Sequence, residues 1–429
     1  MKRALAALLL LAPGEMAAAA PCAGSLDAAA VVRCALGQSP DIRIARQELQ
    51  VLAGRHILAE TRLPSNPVLS LSGALRHAPT PEGGGLFFNG YLTLSQEVEV
   101  AGQREARINL VEDEARAALR RLAVAEQTVA AAVLGAYFDQ LAGAQAVALA
   151  QELDRTLERF AALAEERLRE QLISPVDADL ARAERIRIAL LRGAVERGHA
   201  LAQVTLATLL GQGPGPAIEL QGDLDPRVAG PGQVPFPASR EELITRALAL
   251  RGEIAAAEME RQIAGRTVAL LRRERVPSPT VSIYVQRDGL GEQVYGAGIA
   301  VPVPLPWPAG RVRTGEIAEA HARTEQAESA VERVRRQIRQ EVALAVAEEQ
   351  SRAAALALFT PDFLGRVRSD LLVLGEGLAA GQLSVRDALL TQRTLIETLQ
   401  AHLEARRAYA HAWVELHRAT GLPLPGVLP

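Results

Sequence analysis

Residues 102–171 run through seventy positions without a proline. Alanine and leucine dominate the stretch, with arginine and glutamate between them, a strongly helix-forming balance. At ~1.5 Å per residue, a helix of that length is on the order of 100 Å long. Alanine permits close approach of a neighbour, so coiled-coil packing against partners of similar length is expected. With 429 residues, 49% of them hydrophobic, the chain is long enough to supply those partners itself.

The partners come from duplication, because the chain reads as one unit written twice. Leu63-Pro64-Ser65-Asn66-Pro67-Val68-Leu69-Ser70-Leu71 recurs as Arg275-Val276-Pro277-Ser278-Pro279-Thr280-Val281-Ser282-Ile283. Pro40-Asp41-Ile42 matches Gly252-Glu253-Ile254 at the same offset, and Ala101-Gly102 recurs as Ala309-Gly310. Ile173-Ser174 with Asp177-Ala178 recurs as Leu383-Ser384 with Asp387-Ala388. A repeat of half the chain is far longer than a solenoid unit and implies internal pseudo-symmetry.

The first repeat, 21–236, reads as helix 26–63, strands 68–76 and 91–100, long helix 102–171, return helix 175–211 and a Gly/Pro-rich linker 212–236. The second, 237–429, reads as helix 239–276, strands 280–287 and 294–305, long helix 310–380 with a kink at Thr360-Pro361, and return helix 384–420. Ser174-Pro175-Val176-Asp177 is a helix start, with Ser as cap, Pro at the first position and Asp at the third; Ser384-Val385-Arg386-Asp387 repeats it after Gly381. The expected fold class is mainly α with a small β part: a rod of antiparallel helices carrying four strands.

Those strands alternate with period two, for example Leu69, Leu71 and Leu75 against Ser70, Ser72 and Arg76. Alternation alone fits a soluble sheet with one wet face or a transmembrane barrel. Four strands cannot close, and lipid does not tolerate unpaired backbone N–H and C=O groups, which cost several kcal/mol each. A barrel therefore requires copies from other subunits. Two chains give eight strands, whose interior fills with side chains; three give twelve, the smallest assembly with a passage, so a homotrimer is expected.

Residues 1–20 read as an export signal: Lys2 and Arg3, the apolar run Ala4–Ala12, and Ala17-x-Ala19 or Ala18-x-Ala20 as cleavage site. The apolar run is too short to span a bilayer. Beyond it stand Cys22 and Cys34, with three readings: a disulfide, which is favoured in an oxidising compartment, a lipid-modified Cys22, or two unrelated small hydrophobes. Ala-Ala-Pro-Cys is a poor context for lipid attachment.

Chemistry is sparse. With 47 basic against 50 acidic residues and 3% aromatics, there is no basic face with stacking rings, so no nucleic-acid partner is expected. The seven histidines, His56, His77, His199, His321, His402, His411 and His417, show no i, i+4 pairing, so no metal centre or cofactor is expected. Glu97 and Glu99 share a strand face but read as solvated carboxylates rather than an acid/base pair. Gly211-Gln212-Gly213-Pro214-Gly215 lacks the preceding strand and the Lys-Ser/Thr of a phosphate loop. No catalytic residue stands out, and an enzyme is not expected. Asp177 and Asp387 carry two readings: helix capping, or rings of carboxylates favouring cations at an aperture. Capping is the weightier.

At this point the chain resembles the TolC-like outer-membrane factor family, the exit ducts of bacterial tripartite efflux pumps and type I secretion systems. The resemblance covers essentially the whole mature chain. It rests on Asn66-Pro67-x-Leu69, on Leu94-Ser95-Gln96 leading through Glu97-Val98-Glu99 to Gly102-Gln103-Arg104, on Gly381-Gln382-Leu383-Ser384-x-x-Asp387-Ala388-Leu389, on Gln392-Arg393-Thr394-Leu395 and on Thr420-Gly421. The Gly102-x-Arg104 box and the break at Pro361 look most like the branch serving heavy-metal cation efflux. The resemblance implies a trimeric 12-stranded barrel in the outer membrane of a Gram-negative bacterium, continued by a helical tunnel through the periplasm. It also implies a periplasmic adaptor and an inner-membrane pump, of RND type, docking at the tunnel's lower end. That end would be the turns holding Ser174, Asp177, Gly381, Ser384 and Asp387, where gating would occur. The functional reading is passive exit of small solutes, heavy-metal cations among them. Protein secretion is the alternative within the same class, and a pore-less periplasmic coiled-coil scaffold is the alternative outside it.

Overall fold

The computed structural model describes residues 22, 24–78, 85–213, 218–227, 239–287, 291–306, 308–309, 312–380 and 382–427. The elements, in chain order, are α1 (Ala28–Gln38), α2 (Pro40–Glu60), β1 (Val68–Ala78), β2 (Gly85–Glu97), α3 (Gln103–Arg169), α4 (Pro175–Leu209), α5 (Arg240–Leu250), α6 (Gly252–Glu274), β3 (Thr280–Arg287), β4 (Gln293–Ala300), α7 (Thr314–Ala357), α8 (Pro361–Ala379) and α9 (Val385–Thr420). The described chain is thus mainly helical with one antiparallel sheet of order β1-β2-β3-β4. The export signal and Gly381 lie outside the described residues.

The chain divides into two compact units. One holds Arg46–Arg121 and Glu253–Val334, and so contains the sheet. Its helices pack around a small cluster of Leu52, Ala115 and Ala118 and are laced by ion pairs such as Arg55–Glu114 at 2.8 Å. Asp113, almost fully buried on α3, is held by Arg116 one turn on and by Arg266 of α6 at 3.1 Å. A buried carboxylate requires such partners, because removing it from water unpaired costs several kcal/mol.

The other unit holds the described residues of Ala12–Ala45, Leu122–Gly252 and Arg335–Pro429. Its larger core gathers Val31 and Val32 of α1, Leu134, Tyr137 and Phe138 of α3, Leu206 of α4, and Trp413 and Val414 of α9. A second core joins Leu157 and Phe160 of α3, Ile188 of α4, Val367 of α8 and Leu389 and Ile396 of α9. Alanines at 164, 181 and 388 are wholly buried there, the small side chains that close helix approach needs.

Five elements depart from the expected bounds. Helices 26–63 and 239–276 are not continuous: each breaks, at Ser39-Pro40 and at Arg251-Gly252, where the preceding residue leaves the helix with ψ of 126° in both. Proline bars the helical conformation for the residue before it. The two breaks fall at equivalent positions of the repeat, so the duplication extends to the kink itself. Strand 294–305 ends at Ala300, because Pro302 and Pro304 have no N–H for the ladder. Strand 91–100 instead starts at Gly85 and stops at Glu97, pairing with β1 as far as Ala78. The second long helix begins at Thr314 rather than 310, and it is interrupted between Ala357 and Pro361, where the kink is expected; Thr360 caps its continuation, accepting from the Phe363 N–H at 3.3 Å.

The linker is also not the plain spacer its composition suggests. Its described part, 218–227, bridges Leu26 to Leu220 and buries Leu224. Tyr137 donates to the Gln221 carbonyl at 2.6 Å, and Gln140 donates to that of Ile218 at 3.0 Å. Gly222, at φ +143°, is required there because the Tyr137 hydroxyl fills the place a Cβ would take.

Candidate functional site: an inverted sheet, its joint and two turns

The sheet has its apolar side facing outward. Register places Leu69, Leu94, Ile283 and Ala297 in one row across all four strands, and Leu71, Leu92, Val285 and Tyr295 in the next. Leu75 pairs with Phe88 on the same side. These apolar side chains are exposed, Leu71 by 82% and Ile299 by 73%. On β2 and β3 the polar neighbours Thr93, Ser95, Ser282, Tyr284 and Gln286 are the better covered set. Ordinary soluble sheets show the reverse order, apolar in and polar out. β1 and β4 are the two edges of this sheet and have no further strand beside them among the described residues. None of the described helices is long and apolar enough to cross a membrane.

The sequence box from Gln96 to Arg107 forms the joint between sheet and helices. Gln96 Nε2 donates to the Ser65 carbonyl at 2.9 Å, tying β2 to the Pro-rich approach to β1. Gly102 turns the chain with φ +74°, and the Arg273 guanidinium occupies the space its Cβ would need, donating from Nη1 to the Ala101 carbonyl at 3.0 Å. Gln103, almost fully buried, accepts from the Ala101 N–H at 2.9 Å. Arg104 donates to the Glu60 carbonyl at 2.9 Å, satisfying an end carbonyl of α2. Glu99 pairs with Arg107 through both carboxylate oxygens. Glu99 is thus an ion-pair partner within the joint. These residues make the motif a hydrogen-bonded structural joint, which the spacing alone did not reveal.

The two helix–helix turns are built alike. At Ser174 the hydroxyl accepts from the Asp177 N–H at 3.2 Å and donates to the Asp177 carboxylate at 2.7 Å. At Ser384 the corresponding distances are 3.1 and 2.6 Å. Both serines cap their helices, worth about 1 kcal/mol each, and at Ser174 the Asp177 carboxylate also accepts from the Ser174 N–H at 3.4 Å to complete a capping box. Gln171, ahead of the first turn, sits at φ +60°, with the Leu172 N–H reaching back to the Arg167 carbonyl at 2.9 Å. The structure brings the two turns' helices together in the second core of their unit.

Cys22 and Cys34 are joined as a disulfide with Cα atoms 5.9 Å apart, and Gln212 donates to the Cys22 carbonyl at 3.1 Å. Sequence reading missed a half-exposed ionic cluster in the same unit, since its members are scattered along the chain. Asp139 accepts from Arg407 and pairs with His411, both at 2.7 Å. Burial alone would raise its carboxyl, but those hydrogen bonds outweigh burial and hold it below the usual range. Burial opposes ionisation of Glu341 too, and Arg251 with Gln337 and Arg418 outweigh it. Both clusters stitch helices together, and neither offers a nucleophile. Among the described residues no group of three His, Cys, Asp or Glu side chains is placed to hold a metal ion.

Comparison with known proteins follows the same lines. Residues 31–212 match the model of the family described as outer membrane efflux protein. The cobalt-zinc-cadmium resistance protein CzcC of Cupriavidus metallidurans is 28% identical over 209 residues. That match covers 48% of each protein, so the chain spans about half the length of the curated relative it matches. Among solved structures, CusC is similar with a TM-score of 0.74 and 18% identity over 93% of both chains. VceC of Vibrio cholerae gives 0.71 and 19% over 91% of this chain and 95% of its own. MtrE of Neisseria gonorrhoeae, in its open state, gives 0.70 and 19% over 92% and 89%. Of these, VceC is an outer membrane protein and MtrE an outer membrane channel. Residues 31–212 thus match the outer membrane efflux protein family, and over more than nine-tenths of its length the chain has the fold of CusC and VceC.

Proposed function

We propose that three copies of this chain set β4 of one beside β1 of the next and close a 12-stranded barrel in the outer membrane of a Gram-negative cell. The helices continue the passage into the periplasm, and the assembly is the passive exit duct of a tripartite efflux system. The observation that carries this reading is the inverted sheet: apolar side chains exposed along every strand, with two unpaired edges. Exposed rows of leucine and isoleucine are a liability in water and an asset in lipid, but lipid tolerates them only where the edges are paired. A pore-less scaffold has no use for such a face.

The turns holding Ser174, Asp177, Ser384 and Asp387, with Gly381 between α8 and α9, are the proposed docking and gating end for a periplasmic adaptor and an RND-type pump. Energy comes from the pump, so the duct need not chelate its cargo. The resistance named for the CzcC relative favours divalent heavy-metal cations as that cargo. Growth of a deletion strain on graded zinc, cobalt and cadmium tests the cargo, with a panel of drugs and dyes beside it. Metal sensitivity of the deletion strain that the returned gene relieves supports the reading; sensitivity confined to drugs, or none at all, overturns the metal assignment. Reconstituted protein that yields no channels in planar bilayers overturns the duct itself.

A further inference from the structure

The polar side of β3 and β4 holds an unusual pairing. Tyr284 stands directly opposite Gly296, with Thr93 on its other flank. A Cβ built on Gly296 would lie 2.7 Å from Tyr284 Cε1 and closer still to Cζ and Oη, so the ring lies flat across the Gly296 main chain. The next glycine on the same side, Gly298, is covered by Ser282, whose hydroxyl donates to the Gly298 carbonyl at 3.3 Å. Tyr91, the other tyrosine on this side, is tethered by Gln286, whose amide donates to its hydroxyl at 3.5 Å.

Glycine inside an edge strand carries a conformational cost and weakens the ladder, so two of them in alternation need a reason. An aromatic ring laid over a strand glycine recovers packing that the missing side chain forfeits. It also fixes where the ring is not. We propose that Gly296 is the resting place of Tyr284 and sets the bore of the barrel, by holding the ring against the wall instead of across the passage. This rests on the reading of the polar side as the lumen. Three copies place three such rings at one height, so their orientation acts on the passage three times over. Tyr284 is then the residue whose displacement narrows the outer section, and Gly296 the residue that keeps it against the wall.

The test is single-channel recording with neutral polymers of graded size added from the side of the hairpin loops. Wild type is compared with Gly296→Val, Tyr284→Ala, the double variant, and Gly298→Val, which adds the same bulk on the same strand but faces Ser282. Gly296→Val is expected to lower the admitted polymer size and cut conductance by roughly half, while Tyr284→Ala alone leaves both within about a tenth of wild type. The double variant regains the wild-type size, and Gly298→Val keeps it. Should Gly296→Val fail to insert, Gly296→Ala meets the same ring atoms with a single methyl and serves in its place. A wider bore in Tyr284→Ala with no narrowing in the glycine variants overturns the inference, since the ring would then already stand in the passage. Equal narrowing in the single and double variants overturns it too. A wild-type protein that forms no channel overturns the duct reading and this inference with it, whereas a conducting wild type isolates the second from the first.

Discussion

Leu71→Arg separates the lipid-facing reading from every aqueous one. Leu71 lies on β1, two residues from the middle of the strand, paired with Leu92 and 82% exposed. In water, replacing so exposed a leucine by arginine changes stability by no more than about 0.5 kcal/mol, and it aids solubility. In a barrel the same site faces hydrocarbon, where arginine near the midplane costs about 2–4 kcal/mol. Three copies bring the total to roughly 6–12 kcal/mol per assembly, comparable with the whole stability of a typical domain. Ser72→Arg is the matched control, one residue away and on the polar side. The assay is folding into lipid vesicles from urea, read as the unfolding midpoint and as the yield of heat-resistant oligomer. Leu71→Arg should fail or shift to far lower urea while Ser72→Arg stays near wild type. Equal midpoints for the two, or a Leu71→Arg protein that is merely more soluble, would refute the assignment of faces.

Three further outcomes follow from the local geometry. The disulfide closes a loop of 12 residues, for which chain entropy gives about 3 kcal/mol, so Cys34→Ser should loosen α1, read as faster amide exchange and proteolytic nicking near Val31; unchanged protection would show that packing alone holds the segment. Gln171 occupies a left-handed conformation at which its repeat counterpart is Gly381, so Gln171→Gly should stabilise the turn by about 1 kcal/mol, measured by urea denaturation. His417, stacked on Trp413, is driven down to about 4 by burial, which the hydrogen bond to the Trp413 carbonyl only partly offsets. Its folded value lies below the unfolded one near 6.5. Its contribution is therefore complete above that pH and lost as pH falls toward 4, by up to about 3 kcal/mol. Urea midpoints at pH 7.5 and 5 should converge in His417→Gln and diverge in wild type.

The repeat, the long helices and the four strands are legible in sequence because each rests on a local signal: proline absence, period-two alternation, Ser-x-x-Asp caps. The match of Pro40-Asp41-Ile42 to Gly252-Glu253-Ile254 was visible too, yet it read as helix interior when it marks a break. Part of the reason is that Arg251 leaves the helix within a buried pairing with Glu341, and that partner lies 90 residues away. Tertiary pairing of this kind leaves no local trace. The same holds for the Asp139–Arg407–His411 cluster, assembled across more than 260 residues, and for the packed segment 218–227. β4 overran for a different reason: Val301, Val303 and Leu305 continue the apolar alternation while the prolines between them remove the ladder donors.

The joint explains why one chain obeys two opposite burial rules without conflict. Along α3 and α9, apolar side chains turn toward helical neighbours and arginine–glutamate pairs face water; along β2 and β3, apolar side chains turn out and polar ones in. A strand that slipped by one residue would exchange its two faces, so the register must be pinned where the rule changes. Gln96, Gln103, Arg104 and Arg273 do that with hydrogen bonds to main-chain carbonyls and amides, contacts that fix backbone position whatever the neighbouring side chains prefer. Side-chain packing alone could not serve, since an apolar row packs as readily two residues along. The box from Gln96 to Arg104 is therefore recognisable in sequence for its role in alignment: it holds the sheet in phase with the helices, and every outward leucine depends on that phase.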